Sequence, residues 1–125
     1  MPATAAPTVL FVEDEALLRL VIAEELRDAG FEVIEAGDGG SALDELQKGS
    51  RIDLLFTDIR LPGRLNGWDL AERARKLRPH LPVVYATGFT DDPVRTVPDS
   101  LLFKKPYRAS AIIDAARSLG LAPFG

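Results

Sequence analysis

Five short apolar segments alternate with amphipathic ones along this chain, and the alternation restricts the folds available to it. The apolar segments are residues 9–12, 31–36, 52–57, 82–86 and 101–104. Strands that alternate with helical segments favour βαβ units, in which crossover helices join parallel strands in a right-handed sense. The sequence therefore predicts an α/β fold with a five-stranded parallel sheet and helices on both faces.

The second apolar segment differs from the others because polar residues are interleaved in it. Glu32 and Glu35 alternate with apolar residues in 31–36, a pattern that suits an edge strand with one solvated side. With right-handed crossovers, a second strand at the edge gives the flavodoxin-like doubly wound order 2-1-3-4-5. In such a sheet, ligands bind beyond the carboxyl ends of the strands.

Periodic apolar residues and helix-ending residues place the crossover helices. We predict a helix ending near Gly30, a short one from about Gly40 to Lys48, a third that Pro79 stops, and a last one from Ala109 to Leu119. Only Asp91–Asp99 remains for the fourth crossover. Pro93 and Pro98 leave room there for about one turn, so we expect a shortened fourth helix.

The length of 125 residues fits one domain with one core. We expect a flexible N-terminal segment over 1–7, the folded domain over 8–120 and a short tail over 121–125. Residues 1–7 lack the basic and apolar regions of a signal peptide. No apolar run approaches the roughly 18 residues of a membrane-spanning helix, so no membrane partner is expected.

Charge and cysteine content exclude further classes of protein. The formal net charge is −4 and no basic run is present, which argues against binding to nucleic acid. The absence of cysteine removes disulfides, thiolate metal sites and cysteine nucleophiles together. This composition fits a cytoplasmic protein.

Chemically useful residues follow four of the predicted strands. Glu13 and Asp14 follow the first, Asp58 the third, Thr87 the fourth and Lys105 the fifth. Three carboxylates at neighbouring strand ends repel one another unless a cation lies among them. Mg²⁺ binds oxygen ligands and commonly uses one or two protein carboxylates beside a phosphate. The sequence therefore predicts an open Mg²⁺ site.

Asp58 is central in the predicted strand order and is the candidate nucleophile. Carboxylates form aspartyl phosphates in other phosphoryl-transfer systems, and such catalysis is mostly positioning and electrostatic stabilisation. The hydroxyl of Thr87 and the ammonium of Lys105 are each suited to bind a phosphoryl oxygen. Together these residues predict a phosphoryl-accepting site.

The motifs at these strand ends resemble those of one family, the receiver domains of two-component response regulators. The resemblance extends from about Thr8 to Leu119. It rests on Glu13-Asp14, Ala36-Gly37-Asp38-Gly39, Asp58-Ile59-Arg60-Leu61-Pro62, Ala86-Thr87-Gly88 and Lys105-Pro106-Tyr107. Tyr85–Thr90 also partly resembles the Phe-Ala-Thr-Gly-hydrophobic-Tyr motif of a subclass of single-domain regulators.

The resemblance implies a role for each matching residue. Asp58 would be the phosphoacceptor, and Asp14 and Asp58 would bind Mg²⁺ directly. Glu13 would bind it through water, and the backbone carbonyl of Arg60 would be a further ligand. Thr87 and Lys105 would hold the phosphoryl group. The resemblance also implies a cis bond between Lys105 and Pro106.

One position departs from the family pattern. Most receivers have Tyr or Phe three residues before the lysine, and this aromatic side chain changes position on phosphorylation. Here the position is Leu102. We therefore expect Asp91–Asp99 to be the segment that changes its order on activation.

The implied function is a signalling switch, with no enzymatic activity on a separate substrate. It would take its phosphoryl group from a sensor histidine kinase or phosphotransfer protein, and later hydrolyse it. The phosphorylated state would alter binding of a downstream protein to the face formed by the fourth helix, fifth strand and fifth helix. We expect no output domain within residues 1–125, and a single-domain regulator and a receiver excised from a longer protein both remain open.

Three other functions fit these residues less well. A receiver-like module that binds partners without phosphorylation is disfavoured by the complete set of acids, Thr87 and Lys105. A flavin-binding domain is disfavoured because Glu13 and Asp14 would repel a cofactor phosphate. A haloacid-dehalogenase-like phosphatase normally has a second aspartate two residues after its nucleophile, where this chain has Arg60.

Overall fold

The computed structural model describes residues 6–88 and 94–121. Its elements, in chain order, are β1 (Thr8–Val12), α1 (Ala16–Asp28), β2 (Glu32–Ala36), α2 (Gly39–Gln47), β3 (Leu54–Asp58), α3 (Gly67–Leu77), β4 (Val83–Thr87), β5 (Leu101–Lys104) and α4 (Ala109–Ser118). The predicted strands are all present. The bounds of the first four shift by one or two residues, so that Asp58 and Thr87 are the last residues of β3 and β4.

Parts of four predictions lie outside the described residues. They are most of the expected N-terminal segment, most of the expected C-terminal tail, the last two positions of the motif at Tyr85–Thr90, and the first three residues of the segment Asp91–Asp99. The predictions for those positions therefore stay predictions.

The five strands form one parallel sheet in the order β2-β1-β3-β4-β5, which confirms the predicted topology. Glu32 and Glu35 are exposed on β2 at one edge of the sheet. The register pairs Asp58 with Ala86 and Thr87 with Lys104. The carboxyl ends of β3, β4 and β5 therefore lie side by side.

A hydrophobic core covers each face of the sheet, as expected for strands whose side chains alternate in direction. On one face, Leu10, Leu55 and Tyr85 pack with residues of α2 and α3. On the other face, Phe11 and Phe56 pack with residues of α1 and α4. Because both faces of the central strands are covered, ligands can reach these strands at their ends.

Side chains cap the N-termini of α2 and α3, the two helices on the face of the sheet that contains Leu10. The Asp38 carboxylate accepts a hydrogen bond from the Ser41 backbone N–H at 2.7 Å, which holds the pKa of Asp38 below its ordinary value. Asn66 and Asp69 form a reciprocal capping box at the start of α3. These caps satisfy backbone donors that would otherwise have no helical partner.

The described part of the segment between β4 and β5 differs from the prediction of a shortened helix. Residues 94–99 contain no helix, only a turn at Pro98 and Asp99, while residues 91–93 lie outside the described residues. Buried Val97 donates its backbone N–H to the Tyr85 hydroxyl at 3.0 Å. Arg95 forms ion pairs with Asp69 and Glu72 of α3. Residues 94–99 are thus attached to β4 through Val97 and to α3 through Arg95.

Gly67 begins α3 against the end of β3, and we predict that substituting it destabilises the fold. A Cβ at this position would collide with the Asp58 carbonyl oxygen and lie 2.7 Å from the Ile59 Cα. The resulting overpacking should lower the free energy of unfolding of Gly67→Ala by about 1–3 kcal/mol. Urea denaturation measures this change.

Gly40→Ala is the matched control for Gly67→Ala. In α2, its added Cβ would meet only Asp38 Oδ1, at an ordinary 3.5 Å. Because alanine favours a helix over glycine by up to about 1 kcal/mol, this variant should be as stable as the original protein or more so. Equal losses of unfolding free energy in the two variants would show that the close approach of backbone atoms at Gly67 does not cause the destabilisation.

We predict that Tyr85→Phe loosens the segment that joins β4 to β5. The substitution keeps the ring contact with Trp68, whose centroid lies 4.9 Å away, but leaves the Val97 N–H without its partner. An unsatisfied buried donor costs about 1–3 kcal/mol. Urea denaturation should show this loss, and amide exchange at Val97 should accelerate. Unchanged exchange at Val97 would contradict the prediction.

Candidate functional site

Asp58 lies at the carboxyl end of the central strand β3 and is 5% exposed. The Thr57 hydroxyl donates a hydrogen bond to the Asp58 backbone carbonyl at 2.8 Å. The next residue, Ile59, donates its N–H to the Ala86 carbonyl at 3.0 Å. These backbone contacts hold Asp58 in one position at the mouth of the sheet.

Lys105 lies directly against this carboxylate. Its Nζ is 2.7 Å from Asp58 Oδ2 and 3.2 Å from Glu13 Oε1. Partial burial alone would lower the pKa of Lys105, but the hydrogen bond and charge of Asp58, assisted by Glu13, raise it overall. The ammonium therefore keeps its charge beside both acids. The bond between Lys105 and Pro106 is cis, as expected.

Glu13 is the most enclosed acid at the site, with only 1% of its surface exposed. Its Oε2 accepts a hydrogen bond from the Glu15 backbone N–H at 3.1 Å. Arg19 of α1 donates to the Glu13 backbone carbonyl at 2.7 Å. Burial raises the pKa of Glu13, and the negative charge of Asp58 raises it further. The hydrogen bond from Glu15 and the nearby Lys105 lower the pKa, but the overall shift is upward.

Glu13, Asp14 and Asp58 form a cluster with one carboxylate oxygen from each within 4.8 Å of the others. Two ligands on opposite sides of one Mg²⁺ would be about 4.2 Å apart, so the cluster is close to the size of a single coordination shell. Asp14 is exposed and opens the cluster to solvent. These oxygen donors fit a hard divalent cation with some water ligands.

Thr87 and Arg60 complete the set of predicted site residues. Thr87 is 6% exposed at the end of β4, and its carbonyl accepts the Lys105 backbone N–H at 2.7 Å. This bond places Thr87 beside the Lys105 backbone. Arg60, two residues beyond Asp58, has an exposed side chain.

Tyr107 joins the site although no role for its side chain was predicted. Its hydroxyl donates a hydrogen bond to Glu13 Oε1 at 3.2 Å. Its ring packs edge-on against Phe11 and tilted against Phe56. Burial, followed by the charge of Glu13, raises the pKa of Tyr107. The Lys-Pro-Tyr motif can be recognised in the sequence. The contact of its tyrosine with Glu13 cannot, because the two residues are 94 positions apart.

Leu102, the position of the family's usual aromatic residue, is paired in register with Tyr85. It is 39% exposed at the sheet edge. Tyr85, which is buried on β4, contacts the described part of the segment between β4 and β5 through its hydrogen bond with Val97. An aromatic contact to this segment therefore comes from β4, with an aliphatic residue at the usual position on β5.

Comparison with known proteins places this chain in one family. The model of the response regulator receiver domain matches residues 9–98. The chain is 38% identical over 112 residues to the transcriptional regulatory protein PdtaR of Mycobacterium tuberculosis, covering 86% of this chain and 53% of PdtaR. It is 30% identical over 118 residues to the response regulator receiver protein CpdR of Brucella abortus, covering 91% of this chain and 97% of CpdR.

A solved structure shows the same fold. The crystal structure of a response regulator receiver protein from Sinorhizobium medicae superposes with a TM-score of 0.84 at 37% identity, covering 91% of this chain and 94% of that one.

In residues 6–88 and 94–121, no helix has the length and apolar character needed to cross a membrane. With the matching sheet order and family model, this chain belongs to the response regulator receiver domain family.

Proposed function

We propose that this receiver is the phosphoryl-accepting switch of a two-component system, with Asp58 as the acceptor. The observation that carries the proposal is the 2.7 Å contact between Lys105 Nζ and Asp58 Oδ2 inside a cluster of carboxylates. A buried carboxylate with an ammonium beside it, open to solvent through Asp14, is suited to accept a charged group from a large donor.

In the proposed transfer, an oxygen of Asp58 attacks the phosphorus of a phosphohistidine on a sensor histidine kinase or phosphotransfer protein. The new bond joins that oxygen to phosphorus, the phosphorus–nitrogen bond breaks, and its electron pair stays with the imidazole. Water later attacks the phosphorus, and the bond between phosphorus and the Asp58 oxygen breaks with its electron pair left on the carboxylate. Inorganic phosphate is released, and the proton from water goes to the phosphate or to solvent. The chain thus catalyses its own phosphorylation and dephosphorylation and acts on no separate substrate.

Each side chain around Asp58 would have a different role in this reaction. Lys105 would move from the free carboxylate to a phosphoryl oxygen, and the Thr87 hydroxyl would bind another. Glu13, Asp14, Asp58 and the Arg60 carbonyl would hold Mg²⁺. The bound ion would supply positive charge that offsets repulsion between the carboxylates and the incoming group.

For the output, we propose that a downstream protein binds the face formed by the segment before β5, β5 itself and α4. Leu101 and Leu102 are exposed on this edge. Val97 and Tyr85 connect the segment to β4, whose last residue is Thr87. A displacement of Thr87 toward a phosphoryl group would therefore be transmitted to this face through β4.

We predict that acetyl phosphate with Mg²⁺ adds one phosphoryl group to the chain, and that Asp58→Asn abolishes the adduct because it removes the nucleophile. Intact-mass measurement detects the adduct. Asp44→Asn is the matched control, since Asp44 is exposed on α2, and it should label normally. Absence of an adduct in the original protein, or its persistence in Asp58→Asn, would refute the assignment.

We further predict that Lys105→Ala slows labelling by about 100-fold, the usual effect of losing one donor to a developing charge. Lys104→Ala, at the neighbouring exposed position, should label at the original rate. Both rates follow from intact mass against time at saturating Mg²⁺. Similar rates for the two variants would show that proximity of Lys105 to Asp58 does not contribute to transfer.

A further inference from the structure

Tyr107 contributes two separable interactions to the site. Its ring lies in the aromatic cluster beneath β1 and β3, with centroids 6.5 Å from Phe11 and 5.1 Å from Phe56. Its hydroxyl leaves that cluster and donates to Glu13 Oε1 at 3.2 Å. A phenylalanine would keep the ring contacts, so the hydroxyl has a role that packing alone does not require.

The hydroxyl shares its acceptor with Lys105. Glu13 Oε1 lies 3.2 Å from both Tyr107 Oη and Lys105 Nζ, whereas Lys105 lies closer to Asp58, at 2.7 Å. Glu13 is 1% exposed, so water has little access to supply a replacement donor. A buried carboxylate oxygen without a sufficient donor is costly. Without the hydroxyl, Glu13 would depend on Lys105 for that oxygen.

The Lys105 ammonium can lie closer to Asp58 or closer to Glu13, and the two positions affect the acidic cluster differently. An ammonium held on Asp58 is beside the proposed nucleophile. An ammonium drawn onto Glu13 would occupy an oxygen of the acidic cluster and compete electrostatically with a divalent cation there. The neutral Tyr107 hydroxyl satisfies Glu13 without adding positive charge to the cluster.

We propose that Tyr107 is a positioning residue whose hydroxyl holds Glu13 and thereby keeps Lys105 on Asp58, leaving the acidic cluster available to Mg²⁺. This inference rests on the proposed function for the identity of the cation. It assigns to Tyr107 an effect on metal affinity that is transmitted through Glu13, with no contact between Tyr107 and the ion.

Titration calorimetry with Mg²⁺ on the unphosphorylated chain tests this role. Tyr107→Phe should weaken Mg²⁺ binding by about tenfold, as the loss of a partner to a metal-site carboxylate commonly does. Tyr85→Phe is the matched control. It also removes one tyrosine hydroxyl, but that hydroxyl contacts the Val97 N–H instead of the acids, so Mg²⁺ affinity should be retained.

A double-mutant cycle with Glu13→Gln separates positioning from a structural effect. Glutamine has the shape of glutamate without its charge, so it attracts Lys105 much less strongly. In that background Tyr107→Phe should change Mg²⁺ affinity less than about twofold, because the two residues act as one unit. A structural role of the hydroxyl would lower affinity equally in both backgrounds.

Three results would overturn the inference: no Mg²⁺ binding by the original chain, unchanged affinity in Tyr107→Phe, or equal losses with and without the Glu13→Gln substitution. Thermal unfolding of each variant verifies that it is folded at the titration temperature. The calorimetry needs no phosphoryl transfer. A chain that shows the coupling but gives no adduct on Asp58 would refute the proposed function alone, and a labelled chain without coupling would refute this inference alone.

Discussion

The ion pair between Lys105 and Asp58 is the interaction on which the site depends. Three carboxylates converge where the strands end, two of them almost fully buried, and such a group is unstable without compensating positive charge. Lys105 supplies one charge at 2.7 Å from Asp58. A single charge leaves the cluster net negative, so the folded protein itself creates the attraction for a divalent cation.

The parallel sheet explains why these groups meet although they are far apart in sequence. Asp58 and Lys105 are separated by 47 residues, but β3 and β5 flank β4 with their carboxyl ends at one edge. The covered faces prevent the strands from shifting by one residue, since that shift would turn every core side chain to the opposite face. Core packing therefore determines the geometry of the site.

The sheet order and the strand-end residues could be predicted from sequence because they follow from local patterns and a fixed crossover hand. The Tyr107 contact could not, because it depends on how far a side chain reaches across the packed core. The segment before β5 also escaped prediction. Proline spacing suggested one helical turn, but burial of Val97 beneath Tyr85 and the Arg95 ion pairs favour an irregular path.

The sheet has unlike edges. β2 presents Glu32 and Glu35 along its outer side, whereas β5 presents Leu101 and Leu102. Covering carboxylates with another protein costs desolvation free energy that covering leucines does not. Pairing of a foreign strand with β2 is thus discouraged, a common protection against aggregation, whereas the exposed leucines of β5 carry no such desolvation cost.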